Sequence, residues 1–359
     1  MRILHTESSC GWGGQEIRIL TESQGLIELG HSVEILCAEN SKIYEEALKR
    51  KIPAFKTNIN KKSLAAYQAM SNHLRTNEYD VINTHSSTDS WLVSLFYAFK
   101  RNRPRIVRTR HLSTKVHNNL ASKWLYQKGS DFIVTTGEKV KEQLHKENGV
   151  SLNKMQSVVT GIDDSLFYPY NDKTSTKESL GIPENKFIIG IVATIRSWKG
   201  HFFLLEALAK INNPNLHLIV VGDGPNRQLT EDKVEQLNLT NSVSFVGNQD
   251  NVPDWLNCMD LFVLPSYGNE GVPQGLMQAM LCKVPVISTP VGSVEEIVIH
   301  QKTGLIVPTK QSDILKQAIE SLVSNQRLRC EYKENAFKLA KEKCTKSVMC
   351  QNMLTIFSK

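Results

Sequence analysis

Short runs of β-branched and aliphatic residues alternate with longer stretches whose apolar positions recur every three or four residues, and this alternation begins at the first residues of the chain. Arg2–Thr6 and Val33–Cys37 read as strands, and between them Glu16–Leu29 carries the periodicity of an amphipathic helix, stopped by Gly30. The pattern returns at Asp80–Thr84, Ile106–Thr109 and Asp131–Thr135, each followed by a helix-compatible segment. A second series starts with Phe187–Thr194 and continues through Leu216–Val221, Val243–Val246, Asp260–Leu264 and Val284–Thr289. Helices over 311–324 and 327–342 close it, and 346–358 can form one more. Strand–helix alternation of this kind predicts an α/β protein with parallel, doubly wound sheets.

Gly161, Asp163, Asp164, Pro169, Asn171, Asp172 and Pro183 interrupt the pattern and mark a crossing between two domains. We expect a domain over 1–168, a second over 169–342, and a C-terminal helix in 343–359 packing back towards the first. A length of 359 residues fits two cores better than one. Two such domains facing one another leave a cleft at the C-terminal ends of their strands, where open α/β sheets bind ligands.

Composition changes this picture little: 40% apolar and 7% aromatic residues are ordinary for a soluble α/β protein. The N-terminus lacks a signal-peptide core, and the longest apolar run, Trp91 to Phe99, is too short to span a bilayer. A cytoplasmic location is expected. Seven scattered cysteines without a C-x-x-C pair argue against a disulfide framework and a zinc site. Charge does alter the picture. The net +7 is concentrated early, with 23 basic against 17 acidic residues in 1–170 and near parity thereafter. No acidic residue stands between Asp89 and Asp131, while nine lysines and arginines from Lys100 to Lys128 do. Such a surface attracts phosphate-rich partners such as anionic membrane, although a merely solvated face accounts for it equally; nucleic acid is disfavoured because no recognition motif accompanies the charge.

The candidate chemistry lies in loops. Gly11-Trp-Gly13-Gly14-Gln-Glu16 follows the first strand, and its glycines let backbone approach a diphosphate or sugar closely, or serve a tight turn needing positive φ. Neither this loop nor Gly222-Asp-Gly-Pro225 fits the G-x-G-x-x-G dinucleotide fingerprint; the second is explained as well by a turn. Arg196-Ser-Trp-Lys199-Gly200 follows a strand and offers two cations to a diphosphate, though alone it could be a surface pair. His85 and His111 stand at strand ends facing the expected cleft, His111 being the stronger candidate and a purely structural role the alternative for each. Glu270 is expected at a strand end, with Gln278 about two helical turns further and a helix N-terminus between them suited to an anion. No Asp-x-Asp metal pair, Walker loop or G-x-S-x-G elbow is present.

In order and spacing, Gly13-Gly14-Gln-Glu16, Arg196 with Lys199-Gly200, Gly222-Asp-Gly-Pro225, Phe-Val-Gly247 and Pro265-Ser-Tyr-Gly-Asn-Glu270-Gly through Pro285-Val resemble retaining glycosyltransferases of family 4. The glycine-tryptophan start is most similar to bacterial enzymes that build lipopolysaccharide and other surface glycans. The resemblance implies a GT-B fold of two Rossmann-like domains. It further implies metal-independent transfer of a sugar from a nucleotide diphosphate sugar to a glycan or lipid-linked acceptor, with no cofactor and possible peripheral contact with the inner face of the membrane. By position it assigns the donor sugar hydroxyls to Glu270 and the diphosphate to Arg196 and Lys199. Backbone N–H groups at Gly13, Gly14, Gly271 and Val272 would assist, and His111 would touch the sugar near its reacting face. Gln278 takes the place where a second glutamate normally holds the ribose; a neutral amide still hydrogen-bonds a hydroxyl. Glu16 and His85 are left for the acceptor or the remainder of the cleft. A nucleotide-sugar epimerase on the same fold and an inactive nucleotide-sugar-binding relative remain alternatives, the latter motivated by Gln278.

Overall fold

The computed structural model describes residues 1–111, 114–268 and 270–359. Leu112 and Ser113, which follow His111, and Asn269 of the Pro265–Gly271 motif lie outside the described residues. The chain divides into two units: Met1–Gly161 together with Thr345–Lys359, and Ile162–Cys344.

The first unit is built on seven parallel strands, β1 (Arg2–Glu7), β2 (Ser32–Ala38), β3 (Ala54–Thr57), β4 (Val81–Thr84), β5 (Arg105–Arg110), β6 (Phe132–Thr135) and β7 (Met155–Ser157), in the order β3-β2-β1-β4-β5-β6-β7. Successive residues of β1 serve opposite faces of the sheet, as the two-residue period of a strand requires. Leu4 joins a core with Leu36, Met70, Leu92 and Phe96. Ile3 joins another with Leu26, Val107 and Val134 that is completed by Met349, Met353 and Ile356 of the helix Lys346–Phe357. That helix packs on the helix Gly14–Glu28, where a Cβ on Gly25 would stand 2.5 Å from the Cys350 sulfur. A glycine is what permits the approach.

The second unit has six parallel strands, β8 (Phe187–Val192), β9 (Leu216–Val221), β10 (Val243–Gly247), β11 (Leu261–Leu264), β12 (Val286–Ser288) and β13 (Leu305–Ile306), ordered β10-β9-β8-β11-β12-β13. Every residue of β9 and β11 is buried, the continuous apolar pattern of parallel strands covered on both faces. Strands β3, β7 and β13 escape the sequence pattern. Each is at most four residues long, too short for periodicity to register.

Two expectations need correction. Residues 162–168 belong with the second unit rather than the first: Ile162 N–H donates to Cys344 O, the Lys341 ammonium pairs with Asp164, and Asn257 Nδ2 donates to Tyr168 O. Glu270 is not at a strand end. β11 stops at Leu264 and the helix starts at Gln274, so Glu270 lies deep in the intervening loop and Gln278 only about one turn into the helix.

Candidate active site

Each sheet reverses its strand order once, between β1 and β4 in the first unit and between β8 and β11 in the second. Crevices at such reversals are the usual ligand sites of open parallel sheets.

In the second unit the loop after β8 carries Arg196 and Lys199, and the loop after β11 carries Glu270. Lys199 Nζ donates to Glu270 Oε1 at 2.7 Å, and Ser266 Oγ donates to the same oxygen at 2.7 Å. Glu270 is 5% exposed, so its charge is largely dry and is matched by the ammonium beside it. The two loops are locked together. Tyr267 N–H donates to Trp198 O at 2.8 Å, and a Cβ on Gly200, which sits at φ +80°, would meet Pro265 O at 2.0 Å. From the other side Gly292, at φ +58°, lies against Glu270 O, and Ser293 N–H donates to Gly271 O at 2.9 Å. Arg196 remains exposed, its guanidinium 5.2 Å from the Trp198 ring centroid. The half-buried Gln278 makes no side-chain hydrogen bond among the described residues, and Val272 is buried just before the helix.

The glycines of Gly222-Asp-Gly-Pro225 have a steric role. Gly222 adopts φ +126°, where a Cβ would come within 2.2 Å of Ala193 O, and one on Gly224 would meet Ile195 O at 2.5 Å. With Ile195 N–H donating to Asp223 O and Asn226 N–H to Ile195 O, this turn braces the loop that presents Arg196 and Lys199. The first glycine loop differs. Gly11, Gly13 and Gly14 are absent from the positive-φ positions, so the tight turn expected as one explanation is not what the glycines serve. A Cβ on Gly13 would find nothing nearer than Glu16 Oε2 at 3.9 Å.

In the first unit the reversal holds a row of three imidazoles. His5 Nδ1 lies 2.8 Å from His85 Nε2, and His85 Nδ1 lies 2.9 Å from His111 Nε2. His85, 4% exposed, is enclosed between the other two, so its expected place in the cleft is corrected to that of a link behind the half-buried His111. Burial lowers all three pKa values, His5 to about 3 and the others well below the ordinary imidazole range, and the charge of buried Arg18 adds to each. All three are therefore neutral at pH 7, with one N–H apiece. At the inner end His5 Nε2 faces Glu22 Oε1 at 4.0 Å, and Glu22 is itself 3.5 Å from the Arg18 guanidinium. A carboxylate favours a proton rather than a lone pair on the nitrogen facing it. Assigned from this network, every imidazole carries its proton on Nε2, and His111 presents the bare Nδ1 as a hydrogen-bond acceptor.

Beside this row lie two buried carboxyls that sequence reasoning missed. Asp89 accepts from Thr6 Oγ1, Ser8 Oγ and the backbone N–H of His85 and Ser86, and Glu7 accepts from Ser9 N–H and the side chains of Gln15 and Ser86. Burial, reinforced by the charge of Asp89, pushes the Glu7 carboxyl up to about 8. Glu16 is likewise buried rather than lining a cleft; its pKa is raised by desolvation and lowered by hydrogen bonds from its own backbone, Gly13 and Ser9. A visible signal existed for the missed groups: His5-Thr6-Glu7 breaks an apolar strand that a buried parallel sheet would otherwise continue.

Residues 12–166 match the model of Glycosyltransferase Family 4, and 172–339 match that of Glycosyl transferases group 1. The chain belongs to the family 4 glycosyltransferases. Among curated relatives, the lipopolysaccharide core biosynthesis mannosyltransferase LpsB of Rhizobium meliloti is 30% identical over 209 residues, 56% of each chain. The chain spans about half the length of the curated relatives it matches first. Among solved structures, a glycosyltransferase from Rickettsia africae superposes with a TM-score of 0.90 at 20% identity, covering 99% of this chain and 97% of that one. HepE of Anabaena in complex with UDP gives 0.86 at 20% identity, with both chains fully covered. The likeness to these structures shows the GT-B fold of two Rossmann-like domains.

Proposed function

We propose that this glycosyltransferase moves a sugar from a nucleotide diphosphate sugar to a glycan or lipid-linked acceptor in surface-polysaccharide synthesis, with retention of anomeric configuration. The observation that carries the reading is the Lys199–Glu270 pair at the strand reversal of the second unit, beside the exposed Arg196. Glu270 keeps Oε2 for donor sugar hydroxyls while Oε1 is occupied by Lys199 and Ser266. Lys199 and Arg196 neutralise the diphosphate as it leaves, assisted by backbone N–H groups of Gly13, Gly14, Gly271 and Val272. Gln278, with no side-chain partner among the described residues, hydrogen-bonds the ribose. His111 accepts a sugar hydroxyl at Nδ1. The acceptor oxygen bonds to the anomeric carbon from the face on which the carbon–phosphate oxygen bond breaks, and the departing phosphate takes the acceptor proton. Such a reaction needs positioning and charge stabilisation rather than an enzymatic nucleophile.

In this reading transfer is metal-independent, and cationic side chains carry the phosphate charge. A UDP-sugar is the first donor to test, since HepE of similar fold binds UDP. Peripheral membrane contact is part of the proposal. Among the described residues no helix is long and apolar enough to cross a membrane, but Phe99, 99% exposed, and Leu120, 85% exposed, lie within the acid-free basic stretch.

The test is incubation of the protein with UDP-sugars, alone and with extracted lipid-linked glycan. Acceptor-dependent release of UDP is expected. Epimerised donor without acceptor, or donor binding with neither transfer nor hydrolysis, would replace the reading by an epimerase or an inactive relative.

A further inference from the structure

A cavity of about 460 Å³ opens beside β5 in the first unit, and no part of the donor machinery accounts for it. Lys62, Arg108, Arg110 and Lys115 line it together with Trp91 and Tyr126, and none of its described lining residues is acidic. Arg108 is the informative member. It is 5% exposed, its guanidinium lies 4.4 Å from the Tyr126 ring centroid, and its buried Nη1 has no hydrogen-bond partner among the described residues. The nearby Asp89 attracts it through space, yet that carboxylate is already engaged by Thr6, Ser8 and two backbone N–H groups. A buried cation without an acceptor is costly.

Its neighbours make the imbalance worse. Lys62 Nζ donates to the Ser87 hydroxyl at 3.2 Å, stands 5.6 Å from the Trp91 ring centroid and pairs with no carboxylate among the described residues, and burial, followed by the charge of Arg108, lowers its pKa. Arg110 is held by the Tyr126 hydroxyl at 3.1 Å and by Thr114 O, both uncharged. Four cations thus converge on a hollow that supplies no counter-charge.

We propose that this cavity binds a phosphate group, as a phosphomonoester or diphosphate, carried by the sugar acceptor. A phosphate answers four cations better than a carboxylate does, because it brings up to two negative charges and three acceptor oxygens. Arg110 lines the cavity one residue before His111, so an anchored phosphate holds the rest of the acceptor near that imidazole. Calling the ligand an acceptor rests on the transferase reading. Anion binding itself does not.

The experiment is isothermal titration in saturating UDP, which keeps the donor site occupied. The probes are inorganic phosphate, a hexose 1-phosphate, a short-chain prenyl diphosphate and the uncharged hexose. Lys62→Gln and Lys115→Gln alter exposed residues and leave the fold intact. The phosphorylated probes should bind and the free hexose should not. Lys62→Gln should weaken phosphate binding at least tenfold, while Lys146→Gln, an exposed lysine elsewhere on the unit, should leave it unchanged. Prenyl diphosphate binding at least tenfold tighter than hexose 1-phosphate identifies a lipid-linked acceptor; equal or weaker binding identifies a soluble phosphosugar. The proposal is overturned if no phosphorylated probe binds, if the free hexose binds equally well, or if neither lysine variant changes the affinity. The transferase reading fails on a separate measurement, the absence of UDP-sugar binding.

Discussion

Gly222 and Gly224 follow a strand of the second unit and press against the backbone of Ala193 and Ile195, whereas Gly11 and Gly13 follow a strand of the first and press against no backbone at all. As letters the two turns look alike. One needs glycine because a side chain would collide with its own scaffold; the other meets no such obstacle, and the proposed function leaves its open side to the donor. The contrast extends to the strand reversals that these turns adjoin. The second unit shows its candidate site residues in loops, Lys199 and Glu270 paired and Arg196 exposed. The first conceals His5, His85, Glu7 and Asp89 inside the sheet end and exposes only part of His111.

The largest effect that would sharpen this comparison is on stability. Gly222→Ala should cost about 3 to 5 kcal/mol, through collision with Ala193 O and strain at φ +126°, and thermal or urea unfolding of the second unit would show it. An unchanged melting temperature would remove the steric explanation.

Next come the rates. Lys199→Ala and Arg196→Ala should each slow transfer at least tenfold, about 1.4 kcal/mol or more of lost transition-state stabilisation; Arg196→Ala should leave stability unchanged, whereas Lys199→Ala should also lower it by stranding the buried Glu270 carboxylate. Unchanged turnover in both would detach these cations from the leaving group.

The pH dependence of stability probes the hidden half. The three histidines have lowered native pKa values, so the unfolded chain binds more protons below about pH 6.5, and stability falls with acidification at up to about 1.4 kcal/mol per pH unit for each. Glu7 acts oppositely. Its native value of about 8 lies above the unfolded one, so its contribution is present below about pH 4.5 and is lost as pH rises to 8. His31, His73, His201 and His217 are lowered like the three in the row, and Glu16, Glu22 and Asp89 are raised like Glu7. Seven imidazoles outnumber four carboxyls, so urea unfolding between pH 7 and 5 should show a net loss towards acid, and a flat profile would mean the imidazoles are not buried neutral.

The smallest effect separates the two glycine loops most directly. Gly13→Ala should leave the melting temperature within about one degree, since a Cβ meets nothing closer than 3.9 Å, and should raise the donor KM by roughly threefold to tenfold by obstructing the backbone approach. A large loss of stability would make the two loops equivalent after all.

The same contrast explains how much was legible in the chain. Strands β1, β2, β4, β5, β6 and β8 to β12 announce themselves because each is an apolar run bounded by polar loops, and Arg196, Lys199 and Glu270 lie in turns where their residue types are informative. Glu270 was misplaced relative to its strand because Pro265 to Pro273 has no periodicity to date its end. Arg18, Glu22 and His5 were invisible because a helix or strand with polar residues ordinarily turns them to water. Here tertiary contacts bury them, and pairing across strand and helix cannot be read from linear spacing. The anion cavity was foreshadowed only as a stretch without acids. Which of those cations converge is decided by the fold, since Lys62 comes from well before the stretch and most of its members lie elsewhere.

The helix Lys346–Phe357 also sets a constraint on how the protein is made. Met349, Met353 and Ile356 complete the core beneath β1 and β5, yet they are synthesised after the entire second unit. On the ribosome, the first unit emerges with an apolar face uncovered for the whole time it takes to translate more than half of the chain, so it is the earlier-made unit that must wait for the later one to finish. Completion of that core therefore trails the synthesis of the second unit, and that interval is when chaperone capture and aggregation have their opportunity.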